Sequence, residues 1–187
     1  VQCEGLPRNR EVFSGIEIAR AFLRNQVHAM APTSNMVRAD LVRTQNPFYP
    51  TKYLHADLAA YYALLKDCDF GFVHEVLAFS RVHEDSITTT VAERNQTILR
   101  EGLLLLLHYG PNYFTSDEFK EIERTYLRRY YRTLVRSAVT RRSPEFLRYH
   151  LDGLQQANRT PSAIDLLRAA GTEFTMSILH PGKLVKH

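Results

Sequence analysis

The apolar positions of the first ninety residues change period several times. Ile16, Ala19 and Leu23 recur at helical spacing behind Ser14-Gly-Ile-Glu17, a capping-box pattern, and predict a helix running to about Asn25. Residues 28–42, "HAMAPTSNMVRADLV", combine a short apolar piece, a Pro-Thr-Ser-Asn bend and an extended piece. They predict a loop entering a short strand near 34–38. "QNPFYP" carries two prolines and predicts a loop. Leu54, Leu58, Ala59, Tyr62 and Leu65 predict a helix over about 56–66, with a turn at Asp67–Asp69. Residues 70–82, rich in Val and Phe, form the best strand candidate.

Beyond Ser86 the pattern is helical. Ile98, Leu99, Leu103, Leu106 and Leu107 line one face of a predicted helix over about 90–108, broken by Gly110-Pro111. Thr115-x-x-Glu118 is a second capping box, opening a long helix with Phe119, Ile122, Tyr126, Tyr130 and Leu134 on its apolar face. Ser143-Pro144 and Thr160-Pro161 each place an N-cap before a proline, and Gly171 predicts the end of the last helix. The expected class is therefore mixed α/β but helix-rich. A sheet of two or three short strands occupies residues 1–90, and a C-terminal helical region occupies residues 91–187.

Composition narrows the class. The chain has 187 residues, 44% hydrophobic and 24% charged, as in an ordinary globular domain with a real core. Its longest apolar run, Leu103 to Leu107, is far short of the roughly 20 residues of a membrane span. The start has no apolar segment of the signal-peptide type, and it lacks an initiator Met, which reads as a piece cut from something longer. Cys3 and Cys68 are too few for a disulfide framework, so a reducing compartment is expected. A net charge of +4 permits anionic partners without pointing to nucleic acid.

The chemistry-bearing residues cluster in the mixed half. Asp57 follows His55 at the start of a predicted helix, where the helix dipole favours an anion. It reads either as an ordinary N-terminal acid or as a general base. Asp67-Cys68-Asp69 has the spacing of a metal-binding Asp-x-Asp, but it follows a helix, and turn chemistry accounts for it. Arg81 and His83 share a face if the strand continues, and together they suit a diphosphate or a metal. A lone His is more often structural or solvated, and it is the neighbouring Arg81 that makes His83 a site candidate. Arg124, Arg128, Arg132 and Arg136, four apart, form a basic stripe. It is either a solvated face or a contact for anionic lipid or an acidic partner. No Gly-rich phosphate loop, no nucleophile elbow and no zinc-protease helix is present.

Three elements in order carry a resemblance: "APTSNMVRADLV" at 31–42, with Ser34-x-x-x-Arg38; the acid-led helix beginning "YLHADL" at 53; and "FVHEVLAFSRVHEDS" at 72–86, ending Arg81-x-His83-x-x-Ser86. Over roughly residues 10–100 this set resembles the acceptor-side half of a family 2 inverting glycosyltransferase of the GT-A fold, and implies a partial GT-A-type sheet. The resemblance implies that Asp57 deprotonates the acceptor hydroxyl and that His83 helps hold a divalent metal, Mn or Mg. It places Arg81 near the departing nucleotide diphosphate. Thr33, Ser34, Asn35, Arg38 and His55 would then line the substrate pocket. Ala56 stands where many relatives carry Glu, leaving His55 as the polar neighbour of Asp57. The implied partners are a nucleotide-sugar donor and a saccharide or protein acceptor, in bacterial surface polysaccharide synthesis or protein glycosylation. The implied location is cytoplasmic, with peripheral contact at the inner face of the membrane and homo-oligomerisation both left open. The nucleotide-binding half is expected to precede Val1. The alternative is a non-enzymatic helical interaction module with a small mixed sheet.

Overall fold

The computed structural model describes residues 5–26, 31–79, 95–140 and 143–179. It divides into two compact units, residues 1–119 and 120–187. This contact boundary falls inside a long helix, well after the change of sequence character near residue 90.

In the first unit, β1 (Val12–Phe13) leads into α1 (Gly15–Leu23). The apolar spacing behaves as expected in burying Ala19 and Leu23, with Ile18 and Phe22, while Ile16 is exposed. The expected capping box does not form. Ser14 makes no side-chain cap bond, because Glu17 is held instead by Arg10 at 2.9 and 3.1 Å. Asn25 ends the helix with φ 55°, a left-handed conformation that Asn tolerates, and Gln26 N–H closes back onto Ala21 O.

A single 3₁₀ turn (Pro32–Ser34) and the short helix α2 (Ala39–Arg43) occupy the region where a strand near 34–38 was expected. Asn35 and Arg38 do have extended dihedrals, but among the described residues no strand pairs with them. The bend is held locally, since Ser34 Oγ and Asn35 Nδ2 both donate to Ala31 O. After it comes α3 (Ala56–Leu64), close to the expected helix. The turn at Leu65–Asp67 leads to β2 (Phe70–Gly71), which pairs antiparallel with β1 in the register Val12–Gly71 and Phe13–Phe70.

This ladder is much shorter than the strand expected over 70–82. Phe72 N–H adds one bond to Glu11 O, and residues 73–79 have no ladder, with Val73, Val76, Leu77 and Phe79 exposed. Extended backbone becomes a strand only beside a partner, and β1 offers two residues. Residues 80–82 lie outside the described residues. A mixed, helix-rich class with a small antiparallel sheet is thus present.

Then α4 (Thr97–Tyr109) packs on α3, burying Leu99, Leu103, Leu105 and Leu106 but leaving Ile98 exposed. It begins behind Gln96 at φ 47°, and residues 90–94 of the expected helix lie outside the described residues. A 3₁₀ turn (Gly110–Asn112) breaks it, and the Tyr113 hydroxyl donates to Tyr62 O across the core. The capping box at the start of α5 (Ser116–Val139) forms as expected. Thr115 N–H donates to Glu118, and Glu118 N–H donates to Thr115 Oγ1. The Thr115 N–H, together with Arg20 and Arg24, also holds the Glu118 carboxyl below its ordinary pKa.

In the second unit, α5 buries Tyr126, Tyr130, Tyr131 and Leu134, and α6 (Pro144–Gln156) buries Phe146, His150 and Leu154. Ser143 caps α6 as expected, accepting from Phe146 N–H. His150 is fully buried, with the Tyr130 hydroxyl 2.8 Å from its Nδ1 and the Phe146 ring 4.4 Å away. Tyr130→Phe removes that bond in a dry environment. Urea unfolding is expected to show a loss of about 1–2 kcal/mol, and an unchanged midpoint would mean the hydroxyl contributes nothing.

Two expectations for the last helix, α7 (Ala163–Leu179), are corrected. Its cap is Ser162, in a reciprocal box with Asp165, rather than Thr160. It also runs through Gly171. Glycine costs only about 1 kcal/mol in a helix interior, and Glu173 just beyond it is anchored by Arg132 at 2.7 Å and Arg136 at 2.8 Å. Burial works to raise the Glu173 carboxyl, but the hydrogen bonds from Arg136 and Arg132 outweigh it and hold it below its ordinary pKa. Half of the expected basic stripe is therefore an internal clamp on α7, and Arg124 and Arg128 remain exposed. Among the described residues, no helix is long and apolar enough to cross a membrane.

Candidate functional site

The residues singled out from the sequence converge only in part. Asp57 lies in the first turn of α3, partly buried, where free N–H groups and the dipole favour its charge. One turn later, on the same face, is Tyr61. The Tyr61 hydroxyl is near enough to Tyr49, Asp57 and Asn35 to be influenced by all three. Burial pushes this phenol up to about 12. The charges of Tyr49 and Asp57 push the same way, and Asn35 opposes them. Asn35 and Asp57, from different elements, are thus brought to one cluster. The sequence reading missed Tyr61 and Tyr49. The signal for Tyr61 was its place four residues after Asp57, and for Tyr49 only the tertiary fold brings it in.

The other candidates are engaged elsewhere. Ser34 is tied to Ala31 O within its own turn, and Thr33 is exposed beside it. Arg38 is exposed and makes a forked pair with Asp40, at 3.1 and 2.6 Å, which holds the Asp40 carboxyl below its ordinary value. Its charge also reaches Cys68, whose thiol burial pushes up, with Asp69 and Asp67 adding to the effect and Arg38 opposing it. A thiol held protonated in this way is a poor nucleophile. His55 sits at the entrance of α3 but turns inward, with Nε2 3.0 Å from Thr97 Oγ1 of α4. The adjacent Leu54 N–H donates to Glu101, a carboxylate only 5% exposed. Thr97 and Glu101 therefore hold the segment from which α3 springs, and their role could not be read from spacing.

Arg81 and His83 lie outside the described residues. Among the described residues no group of three His, Cys, Asp or Glu side chains could hold a metal ion. Asp67 pairs with Lys66 at 3.1 Å in the turn after α3, consistent with turn chemistry. A shallow concavity along α1, lined by Leu6, Ser14, Glu17 and Arg20, includes none of these candidates.

The Tyr61 environment has a measurable consequence. A phenol whose folded pKa is raised contributes stability that is complete below about 10 and is lost as pH rises through about 12. Absorbance titration near 295 nm is expected to show phenolate formation near 12 from both Tyr61 and Tyr126, and Tyr61→Phe is expected to remove one tyrosine's share of it. Loss of a transition near 10 instead would place the hydroxyl in solvent.

Comparison with known protein families, with curated proteins and with solved structures finds no match to this chain.

Proposed function

We propose that the chain is the acceptor-side part of an inverting glycosyltransferase of GT-A type, in which Asp57 is the general base. The observation that carries the reading is the place of Asp57 in the first turn of α3, partly buried, with Asn35 of the preceding bend near enough to act on the same Tyr61 hydroxyl. Asp57 would take the proton from an acceptor hydroxyl as its oxygen attacks the anomeric carbon of the donor. The bond from that carbon to the nucleotide diphosphate breaks with inversion, and the diphosphate leaves with the electron pair. A basic, hydrogen-bonding side chain on the far side stabilises the leaving charge, the role the resemblance assigns to Arg81. A divalent cation, Mn or Mg, with His83 among its ligands, is part of the same proposal and would supply charge neutralisation there. His55 and Arg38 take a supporting part, since Thr97 and Asp40 already occupy them.

Release of nucleoside diphosphate from a panel of nucleotide sugars, with Mn or Mg, tests this. The longer protein that includes a nucleotide-binding half is expected to release it, and this chain alone to release none. No release by the longer protein with any donor would sink the enzyme reading. It would favour a non-enzymatic interaction module, for which the exposed apolar row of α7 is the supporting feature.

A further inference from the structure

Two of the four buried polar or charged residues among those described belong to α4: Thr97, 1% exposed, and Glu101, 5% exposed. They stand four residues apart and so share a face of the helix. The rest of the buried surface of α4 is mostly leucine, and an apolar residue at either place would pack without losing hydration. Glu101 is the harder of the two to explain by packing. Among the described residues its carboxylate forms no ion pair, and its partner is one backbone amide, the Leu54 N–H, at 3.1 Å. A carboxylate kept in such a place answers a need for an acceptor at that point rather than for charge.

Both groups end on neighbouring residues of one segment. Thr97 Oγ1 lies 3.0 Å from His55 Nε2, and His55 follows Leu54. His55 is the N-cap of α3, yet its side chain caps nothing there. Its carbonyl accepts the Ala59 N–H, the first bond of the helix, while its ring is turned to α4. One residue is thus bonded into both helices, and the residue before it is held by Glu101. Asp57 sits inside the turn that His55 opens. A helical turn is bonded as a unit, so a shift of residues 54 and 55 carries the Asp57 carboxylate with it. A cap within α3 would order that turn but would not fix its place against the core.

We propose that Glu101 and Thr97 are positioning residues for Asp57, holding the entrance of α3 so that the carboxylate meets the acceptor hydroxyl in line for proton transfer. The role rests on the glycosyltransferase reading above. Glu101 acts through its oxygen as an acceptor and moves no proton. A base displaced by about 1 Å loses as much as about 10²-fold in rate, so a tie remote from the substrate can govern turnover.

Amide hydrogen exchange of this chain reads the tie directly. Glu101→Leu should speed exchange at Leu54 and Ala59 about tenfold and leave the amides of α1 and α6 unchanged, while Glu101→Gln, which keeps an oxygen for Leu54, should stay within about twofold of wild type. Turnover reads the consequence, in a protein that joins this chain to a nucleotide-binding half. Glu101→Leu and Thr97→Val should each lower kcat for sugar transfer about tenfold or more with the donor KM unchanged, and Glu101→Gln and Thr97→Ser should keep at least about half of it. Unchanged exchange at Leu54 in Glu101→Leu overturns the hold on α3. Faster exchange with wild-type kcat overturns the link to Asp57. A loss in Glu101→Gln as large as in Glu101→Leu makes the charge itself necessary and overturns the positioning role. If Glu101→Leu does not fold, Thr97→Val against Thr97→Ser decides between the same outcomes, with exchange read at Ala59. No transfer by the parent protein with any donor is a separate result, which sinks the reaction and with it any base to position.

Discussion

On the proposed reading, Asp57→Asn is expected to lower sugar transfer, in a protein that joins this chain to a nucleotide-binding half, by about 10²-fold or more while leaving donor binding intact. Asn is close to Asp in shape and keeps a carbonyl oxygen at the first turn of α3, so packing against the core is preserved. What it loses is the capacity to accept a proton from the acceptor hydroxyl. The cost in the helix cap is small, about 0.5 kcal/mol, because α3 is anchored independently by Leu54 to Glu101 and His55 to Thr97. Two measurements separate the outcomes. Donor affinity by calorimetry should be unchanged, and the rate of transfer should fall. A variant with near wild-type turnover removes Asp57 from the mechanism. A variant that loses donor binding as well shows a structural defect and leaves no evidence for a base. Tyr61→Phe serves as the comparison, since it changes the surroundings of Asp57 without removing the carboxylate.

Gly15→Ala is expected to destabilise the first unit by about 3 kcal/mol or more. Gly15 opens α1 against the turn that follows α3. A methyl group there would stand 2.0 Å from Cys68 O and 2.1 Å from Leu65 O. Both are backbone carbonyls, so no side chain can swing aside, and either α1 or the turn must move. The turn also positions β2, whose pairing with β1 immediately precedes α1, so the strain is shared by the sheet. Gly71→Ala is the control, because a Cβ at Gly71 meets nothing within 4 Å. It should stay within about 1 kcal/mol of wild type. Urea unfolding monitored by circular dichroism reads both. A Gly15→Ala protein within about 0.5 kcal/mol of wild type would show that the close approach of α1 to Leu65 and Cys68 is absent.

The helices were legible wherever local chemistry and apolar spacing agreed. Ala19 and Leu23 in α1, Leu58 and Tyr62 in α3, Leu99, Leu103 and Leu106 in α4, and Tyr126, Tyr130 and Leu134 in α5 were each placed on a buried face by periodicity. The Thr115-Glu118 and Ser143 caps were legible because a cap needs only neighbours three residues away. The first-turn position of Asp57 followed from the same local logic.

What the sequence could not decide depended on partners distant along the chain. A strand at 34–38 and a long one at 70–82 require a neighbour to bond, and among the described residues only Val12 and Phe13 supply one. The Ser14-Glu17 box failed because Arg10 competes for Glu17. Gly171 stops a helix by propensity, but two arginines of α5 hold Glu173 beyond it, and those contacts outweigh about 1 kcal/mol. By itself, then, the chain determined its helices, two of its caps and the place of one acid, all set by residues within a turn or two. The tertiary structure decided the extent of the sheet, the burial around Tyr61, the inward turn of His55 and the outward apolar face of α7. Each of these depends on which distant group is near enough to bond, pack or fail to pack.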